Sequence, residues 1–115
     1  MSGSSAFDRL AQKDRDKALL IRQAARDELD FKAVASTVEG RRFISRFLAY
    51  CGTGKPVFHS DALEMARLAG KQEVGFFIQA LFHGGGLFGL YNLMMEEARA
   101  DSDAFQQLRL KHDGE

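Results

Sequence analysis

Residues 52–55, Gly-Thr-Gly-Lys, are the first whose types suggest chemistry, because glycines beside a lysine can offer backbone N–H groups and an ammonium to a phosphate. The spacing does not fit. A phosphate-binding loop needs four residues between its glycines, Ser or Thr after the Lys, and a strand before it. Here a helical pattern precedes the segment and Pro56 follows the lysine. Metal chemistry is no better served: Cys51, His59, His83 and His112 are scattered singly, without a short ligand pair or two histidines one helical turn apart. Cys51 falls within a helical pattern and reads as a small buried hydrophobe rather than a nucleophile beside a base. The carboxylates of Asp61 and Glu64 are accounted for by capping and by the helix dipole. No catalytic, metal-binding or cofactor-binding set is expected, so the chain is expected not to be an enzyme and to need no cofactor.

Arg41, Arg42 and Arg46 are the strongest candidates for binding. Arg42 and Arg46 lie one turn apart, so two guanidinium forks can face one partner together. Arg41 sits at the edge of an apolar arc, where its stem can lie on the core while its head reaches a carboxylate. Two roles stand open: intramolecular ion pairing, with Glu39, Glu64 or Glu73, or contact with a protein or a DNA backbone. Without a wider basic stripe, base-specific readout is not expected.

The length of 115 residues suits a single core. Ten Phe against two Tyr and no Trp favour a Phe-packed interior over a stacking platform for sugars or nucleotides. Net charge is zero, so no global field draws the protein to nucleic acid or membrane. Five basic residues and one acidic between Lys32 and Lys55, against three basic and six acidic after Glu73, make the chain positive in its middle and negative at its end. One cysteine rules out an internal disulfide, and the isolated early apolar residues do not form a signal peptide, which suggests a reducing cytosol.

The elements that must position these residues are helical. Phe7, Leu10, Ala11, Ala18, Ile21, Ala25 and Leu29 recur at helical spacing over residues 5–29 and give one narrow apolar face on a charged helix. Asp30 can cap a short second helix carrying Phe31, Val34, Ala35 and Val38. Ser36 and Glu39 have the form of a capping box for the next, on which Phe43, Ile44, Phe47, Leu48, Tyr50 and Cys51 form the apolar arc and which Gly52, Gly54 and Pro56 stop. Asp61 starts the expected longest helix, running to about Phe82, with two apolar stripes that call for neighbours on two sides. Within it Gly70 and Gly75 are expected to mark close helix packing, because each otherwise costs about 1 kcal/mol relative to Ala. Gly84, Gly85 and Gly86 make a loop break, a helix follows over residues 87–98, and Ser102 can cap a last short one.

The expected fold is all-α, a small bundle of about four to six helices around a long central helix, without a sheet. Residues 1–6 read as a flexible lead, 7–110 as a single helical domain and 111–115 as a frayed tail. Residues 74–95 carry no formal charge, but Gln79, His83, Asn92 and the glycine run favour a buried hairpin over a membrane span.

Several short words occur in order: residues 30–34 (Asp-Phe-Lys-Ala-Val), 39–42 (Glu-Gly-Arg-Arg), 46–48 (Arg-Phe-Leu), 51–52 (Cys-Gly), 69–72 (Ala-Gly-Lys-Gln) and 74–76 (Val-Gly-Phe). Over residues 30–82 this resembles a family of small tailed-bacteriophage proteins first named from a Bordetella phage. The chain departs from it at Lys71-Gln72, where the family has Arg-Arg, which removes a guanidinium fork. The resemblance implies a non-enzymatic phage protein encoded among capsid, portal and internal virion genes. On that basis the expected role is a virion-associated or assembly component, of portal, internal or ejection type, that contacts phage or host protein and forms a homo-oligomer. The alternative is an early effector or regulator binding a host protein or nucleic acid. The expected location is the host cytoplasm during infection, or the virion.

Overall fold

A computed structural model describes residues 5–114, which form four α-helices and no strand: α1 (Ala6–Ala35), α2 (Val38–Cys51), α3 (Ala62–Gly84) and α4 (Phe88–Asp113). All-α architecture is therefore the observed class. The chain divides into two compact units, Met1–Phe31 and Lys32–Glu115.

The first unit holds most of α1. Ser5 and Asp8 cap it reciprocally: the Asp8 N–H donates to Ser5 Oγ at 3.1 Å and the Ser5 N–H to Asp8 Oδ2 at 3.3 Å. The helix therefore starts at Ala6, and only residues 1–4 of the expected flexible lead lie outside the described residues. Asp14 and Asp30 do not interrupt it. An Asp in a helix interior costs at most about 0.7 kcal/mol, and with no Gly or Pro from Ala6 to Ala35 the expected separate second helix is simply the end of the first.

In the second unit, α1 ends and α2 begins within two residues. Thr37, not Ser36, is the cap: its Oγ1 accepts from the Gly40 N–H at 2.9 Å and donates to the Val34 carbonyl at 3.0 Å. The Ser36 hydroxyl turns back to the Lys32 carbonyl instead. Gly40 must lack a side chain here, since a Cβ would overlap the Val34 carbonyl oxygen. Gly52, at φ 69°, closes α2 with its N–H shared between the carbonyls of Leu48 and Ala49. Asp61 caps α3 through Oδ1, which accepts from the N–H groups of Leu63 and Glu64 at 2.8 and 3.2 Å.

The glycine break is narrower than expected. Gly84 still belongs to α3; Gly86 takes the left-handed conformation at φ 70°, and the Leu87 N–H reaches back to the Phe82 carbonyl at 2.8 Å, the 6→1 bond of a Schellman ending. From there α4 runs unbroken to Asp113, so the expected helix boundary at residue 98, the cap at Ser102 and a fray over residues 111–113 give way to one helix, while residue 115 of the expected tail lies outside the described residues. Nothing between Leu90 and Asp113 is Gly or Pro, which leaves no strong breaker. The expected longest helix, α3, has 23 residues against 30 for α1 and 26 for α4.

Helices α2, α3 and α4 contact one another pairwise, and the core is small: Ala35, Ile44, Leu48, Cys51, Phe82 and Met94 are buried, with Arg41 and Gly75 beside them. Phe82 meets Tyr91 edge-on at a ring separation of 5.4 Å. Much of the expected apolar arc stays outside. Phe43 and Tyr50 are 61% and 68% exposed, and on α3 Leu63 and Phe77 are 84% and 64% exposed, so neighbours do not cover that helix on two sides.

The two α3 glycines part company. A Cβ at Gly75 would overlap the Thr53 methyl and come within 2.8 Å of Cys51 Cβ, whereas one at Gly70 would meet nothing within 4 Å. Close approach thus belongs to Gly75 and not to Gly70. Gly70→Ala is expected to stabilise the protein by up to about 1 kcal/mol through helix propensity. Gly75→Ala is expected to destabilise it by about 1–3 kcal/mol through overpacking. Urea denaturation of the two variants checks both signs.

Candidate functional site

The three arginines of α2 separate in role although they lie within six residues. Arg41 points into the packing of the second unit. Its Nε donates to Glu97 Oε1 at 2.6 Å and one terminal nitrogen donates to Oε2 at 3.3 Å. The other terminal nitrogen donates to the Ala35 carbonyl at 3.0 Å. One fork thereby joins the last residue of α1, the first turns of α2 and the middle of α4. The partner is Glu97, fifty-six positions away, in place of the nearer Glu39, Glu64 and Glu73.

The hydrogen bond from Arg41 holds the Glu97 carboxyl below its ordinary value. Partial burial opposes this, and the charges of Arg41 and Arg42 add to it. The guanidinium of Arg41 is correspondingly raised, chiefly by the same hydrogen bond. Glu97 sits mid-helix because α4 continues to Asp113, and so it avoids the unfavourable carboxyl end of the helix dipole.

Arg42 and Arg46 remain exposed and make no ion pair among the described residues. They edge an open groove of about 470 Å³ between α2 and α4. Val38, Ser45, Met94, Ala98 and Ala100 give it a floor of small and apolar side chains, and Arg41, Glu97 and Asp101 complete its lining.

The remaining candidates resolve into structural parts. In the 52–60 loop the Gln72 amide donates to the carbonyls of Gly52 and Lys55 at 3.1 and 2.8 Å, while Thr53 packs on Gly75. Lys71 lies over the Tyr50 ring, 4.1 Å from its centre. Both residues at the Lys71-Gln72 departure are therefore engaged within the molecule. Cys51 is buried, His59 Nδ1 accepts from the Asp61 N–H at 3.0 Å, and His83 lies among Phe88 and Tyr91. Glu64 pairs with Arg67 one turn on, which lowers the Glu64 carboxyl and raises the Arg67 guanidinium. Among the described residues no three His, Cys, Asp or Glu side chains gather as a metal site, and no helix is long and apolar enough to cross a membrane.

Sequence reasoning missed Glu97 and Gln72. Gln72 had a signal in its position one turn before the buried-side Gly75; Glu97 had none, because its pairing depends on how α4 crosses α2.

The profile of the Bbp19-like phage protein family matches residues 31–100. The chain belongs to this family. The matched span contains the end of α1, all of α2 and α3, and α4 as far as residue 100, which takes in the Arg41–Glu97 bridge and the lining of the groove except Asp101. No curated protein and no solved structure matches the chain.

The bridge of this Bbp19-like protein carries a pH signature. Because the folded-state value of Glu97 is depressed, its contribution is complete above the unfolded carboxylate value of about 4.3 and is lost as pH falls through the lower folded value. Glu97→Gln is expected to lower the urea midpoint at neutral pH and to flatten its decline below about pH 4. Parallel pH dependences for the variant and the parent protein would contradict this assignment.

Proposed function

We propose that this Bbp19-like protein is a non-enzymatic phage component, virion-associated or acting in assembly in the manner of a portal, internal or ejection-type protein. It works by contact with phage or host proteins, in several copies. The observation that carries the reading is the amount of large apolar surface left open on every helix. Leu19, Leu20 and Ile21 on α1, Phe43 and Tyr50 on α2, Phe77 on α3, and Phe105, Leu108 and Leu110 on α4 are each 60% or more exposed. Such side chains favour association, since burying them removes apolar area from water. Membership of a phage family supplies the setting. Its place on this reading is the host cytoplasm during infection and then the particle.

A second reading, an early effector or regulator binding a host protein or nucleic acid, draws on the exposure of Arg42 and Arg46. Against nucleic acid stand Asp101 in the same groove and a net charge of zero, which supplies no general attraction to a phosphate backbone.

Two measurements separate the readings. Mass spectrometry of purified particles is expected to detect the chain along with portal or internal proteins, and its absence from clean particles would sink the virion reading. In gel shifts with duplex DNA, the expected outcome is no retardation; a shift that weakens steeply with salt and disappears with Arg42→Ala plus Arg46→Ala would favour the second reading.

A further inference from the structure

We infer that the groove between α2 and α4 receives one helix of a partner protein, a helix that is apolar on one face and carries a pair of acidic side chains one turn apart. The inference rests on the proposed role in protein contact and names the partner's chemistry.

Charge complementarity selects the occupant. Arg41 is consumed by its bonds to Glu97 and to the Ala35 carbonyl, so its charge is answered within the molecule. Arg42 helps lower the Glu97 carboxyl but, like Arg46, has no hydrogen-bonded carboxylate among the described residues. Four residues of helix set the backbone positions of Arg42 and Arg46 about 6 Å apart along the axis. Carboxylates at i and i+4 of a second helix have the same repeat, and guanidinium forks bind carboxylates with two parallel hydrogen bonds.

The floor fits the same occupant. Val38, half exposed, offers apolar contact, and Ser45, Ala98 and Ala100 are small enough to let another helix approach closely. Seating a third helix in the channel between two packed ones is the usual way an amphipathic helix finds a groove. With Glu97 paired to Arg41, Asp101 is the acid that disfavours the other large anion. A duplex carries a negative charge about every 1.7 Å and brings several phosphates past Asp101, whereas a helix can set two carboxylates on Arg42 and Arg46 and turn neutral side chains toward Asp101.

The test uses the full chain and a fluorescein-labelled, side-chain-cyclised helical peptide of about 18 residues, with Leu on one face and a Glu pair at i and i+4 beside it. Fluorescence anisotropy is expected to show saturable binding. Arg42→Ala with Arg46→Ala is expected to weaken it about tenfold or more, as is moving one Glu to i+2 at unchanged peptide charge. Ala100→Trp, an exposed position at the groove, is expected to block binding while leaving the helical circular dichroism intact. No saturable binding, equal affinity for the displaced-Glu peptide, or indifference to the arginine pair would overturn the inference. Competition by a 20-base-pair duplex at equal affinity would overturn it in favour of a general anion surface. The binding readout is independent of particle composition: peptide binding with no chain in the particles would defeat the virion reading alone, and the converse would defeat the groove alone.

Discussion

The Arg41 guanidinium is the tie on which the second unit depends. It satisfies the buried Ala35 carbonyl at the end of α1, begins on the first turns of α2, and holds a carboxylate from the middle of α4. A group that is always charged and presents five donors in a fixed plane can serve three helices at once, which an ammonium cannot do with the same geometry. Burying such a group is unfavourable unless its donors are answered, and here they are answered by one ionised partner and one backbone oxygen. The length of α4 favours the same arrangement, since a helix that stopped near residue 98 would place Glu97 at the negative end of its own dipole.

Around that tie the apolar core is modest. Phe82 and Met94 are the largest fully buried side chains, and the backbone is brought close by absence of side chains as much as by their presence. Gly40 admits the end of α1, Gly75 admits the loop after α2, and Gly86 permits the reversal into α4. The glutamine at position 72 fastens that loop to α3 by donating to the carbonyls of Gly52 and Lys55. With so much of the Phe and Leu content outside the core, the surface rather than the interior is where this family member has invested its hydrophobicity.

Local chemistry was legible where a single residue type enforces it. Gly52 and Pro56 end α2, Asp61 begins α3, and the glycine run turns the chain, because each acts on its own backbone within a few residues. Boundaries that depended on weak preferences were less legible. Asp30 and Ser102 can each cap a helix, but each also fits inside one at small cost, and both were absorbed into longer helices. Between Ser36 and Thr37, adjacent hydroxyls could both cap; the choice went to the one whose Oγ1 faces the Gly40 N–H.

By itself the sequence determined the all-helical class, the position of the main turns and the family, and it placed Arg41 at the edge of an apolar arc while leaving open whether its head pairs within the molecule or with a partner. Only the tertiary structure decided which acid that would be, which of two helical glycines would be crowded, and which members of an apolar arc would be buried. The physical reason is the same in each case. Helical periodicity places side chains on a face, but the angle at which one helix crosses another decides what that face meets, and that angle is a property of all the packed residues together.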